Sequence, residues 1–263
     1  MSPLAPSGVL DRLPAVGLDE LVGTAELLTR VDRKYLLPAA DLEILLSGTG
    51  PGTRVLEIDG RRRFGYRSVY FDTPELSSYH ATARRRRQRF KIRTRSYLDS
   101  DLHVLEVKTR GARGLTVKQR LPYAGDGRTL DGADRDRVSA LLADLGLHLD
   151  ADALAPVLTT RYQRTTLLLP SGTSRLTVDT GLVWSLAGPG GASTATERAV
   201  VETKSGRGAG EVDRLLWSLG RRPSAISKYG TGLAALRPEL PANRWRPVLR
   251  RHLSLTPPGS DLT

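Results

Sequence analysis

A chain of 263 residues with 39% hydrophobic and 26% charged residues can bury its own core, as one large domain or two small ones, and is not a disordered polymer. It has no Cys and four scattered His, which excludes disulfides, thiolate nucleophiles and Cys-ligated zinc and leaves no His pair at metal-ligand spacing. A formal net charge of +12 makes phosphate-rich anions the leading class of partner: nucleic acid, nucleotide, inorganic polyphosphate or anionic lipid.

Residues 1–16 are rich in Pro and are expected to be loose. They show no basic segment followed by an apolar one, and no apolar run in the chain approaches the roughly 18 residues that span a bilayer, so a cytoplasmic protein is expected. Leu18, Leu21, Val22, Ala25 and Leu28 recur at helical spacing and predict a short amphipathic helix over 19–28. A strand over 30–37, stopped by Pro38, puts Asp32 and Lys34 on one face and Val31, Tyr35 and Leu37 on the other. Leu42, Leu45 and Leu46 then mark a helix over 39–46. Strands at 55–58 and 66–71 flank an Arg-Arg-Arg turn, and Asp72-Thr-Pro-Glu ends the second, because Pro removes a ladder donor. The four Arg at 84–87 are expected to cap the loop that leads into the next strand.

That strand is the most informative stretch. Arg89, Lys91, Arg93 and Arg95 share one parity, and Phe90, Ile92 and Thr94 share the other, so four cations line up on one face. Like charges on neighbouring same-face positions repel, and a row of them points to a polyanion in front, although an exposed basic edge strand has the same pattern. Strands follow at 103–110, with Glu106 and Lys108 on one face, and at 115–123, with Lys118 and Arg120 on one face. The turns at Asp99-Ser-Asp and Gly111-Ala-Arg-Gly suit antiparallel hairpins.

A helix is predicted over 134–145, then a hairpin of 160–169 and 175–186 turning at Pro170-Ser-Gly, with Arg164 on its first strand and Arg175, Thr177 and Asp179 on one face of its second. Glu202 and Lys204 share a face of a strand over 197–205. A helix over 211–219, the run Ser227-Lys-Tyr-Gly and a helical piece to 236 close the pattern. The Pro- and Arg-rich segment 238–263 is expected to be a loose tail, leaving one domain over 17–237.

The charged parity of these strands is biased. The candidate inward cations are Lys34, Lys91, Arg93, Arg95, Lys108, Lys118, Arg120, Arg164, Arg175, Lys204 and Lys228; the candidate inward acids are Asp32, Glu106, Asp179 and Glu202, so eleven charges oppose four and +7 remains. An α+β fold, an antiparallel eight-stranded barrel with a polar, basic interior and helices packed outside, reconciles this surface with the apolar parity. Such a channel is unfavourable when empty, because confined like charges lose solvent screening, and a multiply charged anion relieves it. Only six of the 40 cationic residues are Lys, at 34, 91, 108, 118, 204 and 228, and their placement suggests a need for a compact, rotatable charge rather than a planar fork.

Seven short motifs, in order Asp32-Arg-Lys-Tyr, Tyr70-Phe-Asp-Thr, Lys91-Ile-Arg-Thr-Arg-Ser-Tyr, Glu106-Val-Lys, Tyr162-Gln-Arg, Val201-Glu-Thr-Lys and Ser227-Lys-Tyr-Gly, resemble the VTC (vacuolar transporter chaperone) domain, the polyphosphate polymerase branch of the triphosphate tunnel metalloenzymes. The resemblance covers roughly 25–236. It implies an eight-stranded tunnel that moves the γ-phosphate of ATP onto a polyphosphate chain with Mn2+ or Mg2+. By position it implies that Lys34, Arg93, Arg95, Lys108, Arg164, Arg175 and Lys228 line the tunnel and bind phosphates, with Lys34, Arg93, Arg95 and Lys228 at the transferring group, and that Glu202 holds the metal. Lys118 and Arg120 match a less fixed basic pair and rest more on parity than on motif; Lys91 and Lys204 join them as candidate phosphate ligands, and Glu106 is a second candidate for the metal. For Glu106 an internal ion pair with a neighbouring cation is the equal alternative. Hydrolytic relatives usually begin with Glu-x-Glu-x-Lys where this chain has Arg30-Val-Asp-Arg-Lys, a change that tilts towards transfer and away from hydrolysis. The alternatives are a triphosphatase acting on ATP or tripolyphosphate and a non-catalytic polyphosphate-binding module. Nucleic acid is disfavoured, because few aromatic residues interleave the basic runs. Export of a product would need a separate membrane protein partner.

Overall fold

The computed structural model describes residues 7–24, 31–110, 116–172, 174–206 and 208–253. Its elements in chain order are α1 (Ser7–Leu10), β1 (Ala15–Val16), α2 (Leu18–Thr24), β2 (Val31–Leu37), α3 (Ala39–Ser47), β3 (Arg54–Leu56), β4 (Phe64–Asp72), α4 (Ser77–Ala83), β5 (Arg89–Tyr97), β6 (Leu102–Arg110), β7 (Thr116–Leu121), α5 (Gly132–Ala143), β8 (Ala155–Leu168), β9 (Arg175–Leu186), β10 (Ser193–Thr196), β11 (Ala199–Ser205), α6 (Glu211–Ser218), α7 (Lys228–Leu236) and α8 (Arg246–His252). The class is α+β, with eight principal strands in an antiparallel arrangement, as the alternating charge predicts. Among the described residues, no helix is long and apolar enough to cross a membrane. The expected helix end at 25–28, Arg30, the turn at 111–114 and Leu115 lie outside the described residues.

The chain forms two compact units, and β8 and β9 contribute residues to both. The first unit takes the described residues of Met1–Gly65, Tyr162–Leu182 and Thr196–Ile226. Its strand order is β2-β11-β9-β8, with β11 antiparallel to both neighbours. The apolar parity of these strands (Tyr35, Leu37, Val201, Leu176, Val178) packs under α3 and α6 through Leu42, Leu45, Leu46, Val212 and Leu216. Helices therefore cover the apolar face and leave the charged parity on the other. Asp213 fixes α6 to this face: fully buried, it accepts from Tyr35 Oη at 2.8 Å, Thr203 Oγ1 at 2.7 Å and the Arg33 guanidinium at 3.1 Å. Within 1–16, where Pro content predicts a loose segment, α1 buries Leu10 against the same core and β1 runs parallel to β3.

The second unit takes the described residues of Tyr66–Arg161, Val183–Ala195 and Ser227–Thr263, with strand order β8-β4-β5-β6-β7. Val69, Phe71, Ile92, Leu105 and Val107 form its apolar face, covered by Val138 and Leu142 of α5. Two of the sequence motifs meet inside it. Asp72 of Tyr-Phe-Asp-Thr accepts the backbone N–H groups of Thr73, Ser78 and Tyr79, each at 2.9 Å, and the hydroxyl of Tyr229 at 2.5 Å. Burial pushes the pKa of Asp72 up against these hydrogen bonds. Tyr229 belongs to Ser-Lys-Tyr-Gly, so the start of α7, and with it Lys228, is set by a buried carboxylate. The tail also departs from expectation: Trp245 is fully buried and leads into α8. Trp245, Val248 and Leu253 anchor this segment, too few and too widely spread among Pro and Arg to read as an apolar stripe in the sequence.

Gly230 and Gly232 make room for these rings. A Cβ at Gly230 would overlap Trp245, and one at Gly232 would overlap Trp184, whose Nε1 donates to the Lys228 carbonyl at 2.7 Å. Gly232→Ala should therefore lose about 1–3 kcal/mol by overpacking. A urea denaturation curve checks this, and an unchanged midpoint would show that Trp184 repacks without cost.

Candidate functional site

In the second unit, β5, β6 and β7 are in a register that aligns their charges across the sheet. Arg93 lies opposite Glu106, which lies opposite Arg120; Lys91 lies opposite Lys108, which lies opposite Lys118. The second row is three lysines on three adjacent strands, an arrangement that is destabilising without a counter-charge. In the first row, Glu106 is only 2% exposed and its carboxylate gathers four cations. Arg93 donates from Nε at 2.8 Å and from its terminal nitrogen at 2.6 Å to Oε2; Arg95 lies 3.7 Å from the same oxygen. Lys118 Nζ at 3.4 Å and Arg120 Nε at 3.6 Å approach Oε1.

Burial alone would raise the Glu106 pKa, but Arg93, Arg95 and Lys118 outweigh it and hold the carboxyl well below the usual range. One carboxylate cannot balance four cations. The imbalance registers at Lys118, whose pKa is lowered by partial burial first, and then by Arg120 and Arg95 against the pull of Glu106. Tyrosines hold the surrounding cations in place. Arg93 donates to Tyr70 Oη at 3.3 Å, Arg120 donates to Tyr97 Oη at 3.2 Å, and Arg95 lies over the Tyr66 ring at 5.6 Å. Lys91 Nζ donates to Ser227 Oγ at 3.1 Å, beside Lys228 at the start of α7.

In the first unit, Glu202 lies opposite Lys34 on one side and Thr177 on the other, and Lys204 lies opposite Asp32 and Arg175. Glu202 Oε1 is 3.5 Å from Lys34 Nζ and 3.9 Å from Lys204 Nζ. Arg164 makes a bidentate pair with Asp179 at 2.6 and 2.8 Å; burial opposes its charge, yet Asp179 drives its pKa well up. Arg175 donates to the carbonyl oxygens of Leu21 and Val22. Arg33, the middle residue of Asp-Arg-Lys, lies on the helix-covered side with Asp213, away from the charged parity.

The structure thus collects Lys91, Arg93, Arg95, Glu106, Lys108, Lys118 and Arg120 on one charged face of the second unit, with Lys228 at the N-terminus of α7. It collects Lys34, Arg164, Arg175, Glu202 and Lys204 in the first unit. Sequence reading missed Tyr66 as a support, and passed over Tyr70 and Ser227 although each opens a quoted motif.

The donor set can be tested against a hard divalent ion. Among the described residues, no group of three or more His, Asp or Glu side chains could hold a metal. Mg2+-type ions are commonly bound by one or two carboxylates together with substrate phosphates and water, and Glu202, 16% exposed on its side chain, suits that role. Glu106 does not, because a divalent cation approaching it meets four positive side chains.

A VTC domain family model matches residues 29–237. A comparison with curated proteins found no match. Among solved structures, HpAC1 of Hippeastrum, named for adenylyl cyclase and reported to have a dominant triphosphatase activity, is 16% identical, with a TM-score of 0.47 over 82% of this chain and 100% of that one. The PH1819 protein of Pyrococcus horikoshii OT3 is 12% identical, with a TM-score of 0.39 over 73% of this chain and 88% of that one. A conserved hypothetical protein of Pyrococcus furiosus is 13% identical, with a TM-score of 0.36 over the same shares.

Proposed function

We propose, from the premise that the chain belongs to the VTC domain family, that it is a phosphotransferase that moves the γ-phosphate of ATP onto an inorganic polyphosphate chain. The observation that carries this reading is the row of Lys91, Lys108 and Lys118 beside a Glu106 with four cations, a concentration of positive charge on one strand face that an oligophosphate matches. Phosphoryl transfer asks little covalent chemistry of a protein; positioning and charge neutralisation do most of the work. Arg93 and Arg95, already oriented by Glu106, Tyr70 and Tyr66, supply planar forks for phosphate oxygens at little further ordering cost. Lys91, Lys108 and Lys118 supply point charges that follow a chain as it advances.

In the second unit Lys228 is the candidate for neutralising charge on a transferring phosphate; in the first unit Lys34 is the corresponding candidate, and Arg164, Arg175 and Lys204 add phosphate contacts there. Glu202 would hold Mn2+ or Mg2+, which when bound supplies positive charge to the phosphate oxygens. Glu106 in this reading is an internal counter-ion that orients the cations. The chain works in the cytoplasm, and a separate membrane protein carries any exported product.

Incubation of the purified chain with ATP and Mn2+, with products resolved on a gel, is expected to give polyphosphate and ADP together. Free phosphate in place of polyphosphate would make the protein a triphosphatase, and unchanged ATP would leave a binding module.

A further inference from the structure

The charged face of the second unit continues past the lysine row. Arg89 of β5 lies directly opposite Arg110 of β6, on the same parity as Arg93 and Glu106. Packing brings Arg85, just after α4, and Arg244, just before α8, to the same end: Ser78 of α4 donates from Oγ to the Phe90 carbonyl at 2.7 Å, beside Arg89, while Tyr79 of α4 donates to the Pro241 carbonyl at 3.2 Å and lies 5.3 Å from the Trp245 ring, beside Arg244. Burial lowers the Arg89 pKa, aided by repulsion from Arg110 and Arg244, and lowers that of Arg244, aided by repulsion from Arg85 and Arg110. Among the described residues, no carboxylate forms an ion pair with any of these four arginines. The contrast with the Glu106 row, where an acid offsets part of the charge, is plain.

Arg85 is held at some expense. The last turn of α4 closes through the N–H of Arg85 on Thr82 O at 3.2 Å and of Arg86 on Ala81 O at 2.9 Å, the reciprocal arrangement that ends many helices. The residue just past such an end takes a left-handed backbone and is usually Gly; here it is Arg85 with φ of 54°, where a side chain is sterically disfavoured. The attraction of cations to a helix C-terminus accounts for the Arg run at 84–87, but not for like charges facing each other on β5 and β6.

We infer that Arg85, Arg89, Arg110 and Arg244 form a second anion site at one end of this strand face, gripping an inorganic polyphosphate chain beyond the phosphates seated around Glu106. Arg89 is four strand residues from Arg93, about 13 Å, farther than a triphosphate stretches. A chain of phosphates bridges that span with a charge at every repeat. Single-stranded nucleic acid fits less well, because the aromatic residues in this region, Tyr79 and Trp245, are fully buried and offer no face for base stacking. The inference rests on the phosphate reading above and adds a requirement for chain length.

The test is a titration of the full chain and of an Arg85→Gly, Arg244→Gln double variant with tripolyphosphate and with polyphosphate of several tens of phosphates. Gly suits the left-handed backbone at 85, so Arg85→Gly alone should melt at or above the wild-type temperature. The double variant should bind long polyphosphate about tenfold more weakly, ~1.4 kcal/mol, and bind tripolyphosphate as the wild type does. Equal losses for both anions, or a loss for neither, would overturn the second site while leaving the phosphotransferase reading in place. Single-stranded RNA of matched charge that competes as well as polyphosphate would overturn the choice of ligand. Failure of the wild type to bind either anion would sink both readings together.

Discussion

Glu106→Gln is expected to cost about 3–5 kcal/mol of stability, the usual penalty for removing one member of a buried charge cluster. The amide keeps the shape of the side chain but not its charge, so Arg93, Arg95, Lys118 and Arg120 are left to repel one another across a half-buried face. An oligophosphate supplies the missing negative charge. The variant should accordingly be stabilised by saturating tripolyphosphate more than the wild type is, by linkage. Urea denaturation with and without the ligand measures both effects. If the variant were as stable as wild type, the cations would be adequately solvated and the cluster would not be held by Glu106.

The pH dependence follows from the same geometry. Burial works against the charged form of Glu106, yet its cations depress the folded pKa below the unfolded value of about 4.3. The contribution of Glu106 is therefore complete above that unfolded value and is lost as pH falls below it towards the folded pKa. The stability difference between wild type and Glu106→Gln should shrink steadily through this acid range.

Glu202→Gln should separate turnover from binding. Glu202 carries the only protein carboxylate assigned here to the metal, while Lys34 and Lys204 beside it remain as phosphate contacts. We expect turnover with ATP and Mn2+ to fall by about 100-fold or more, ~2.7 kcal/mol of barrier, with triphosphate affinity largely retained. Steady-state rates beside equilibrium titrations decide it. Normal turnover in the variant would remove Glu202 from the metal's surroundings.

The strands were legible because charge alternates with apolar residues along each of them, and that alternation survives into the structure as a helix-covered face and a charged one. Register was not. Nothing in the separate strands says that Lys91, Lys108 and Lys118 align, since period two fixes which face a side chain takes but not which residue it meets on the next strand. Helix α4 escaped because Ser77-Ser-Tyr-His-Ala-Thr-Ala buries one large side chain, Tyr79, and shows no stripe. Strand β8 starts at Ala155 and includes Pro156, which reads as a break, although Pro is tolerated near the first residue of a strand. Asp-Arg-Lys reads as a uniformly charged motif, yet period two sends Arg33 to the helix side, where Asp213 pairs with it. Of the two sequence readings of Glu106, the ion-pair geometry is the one with partners in the structure, and those partners come from the two strands that flank β6.

The central claim, that the basic strand faces bind oligophosphates, is tested most directly by thermal unfolding of the full chain with tripolyphosphate and, separately, with orthophosphate. At about 100 times its Kd, tripolyphosphate should stabilise the folded chain by about 2.7 kcal/mol. In a chain of this size that corresponds to a rise in Tm of roughly 5–10 °C. Orthophosphate at the same concentration should move Tm far less, and added salt should erode the tripolyphosphate shift. Equal shifts for the two anions would contradict the account.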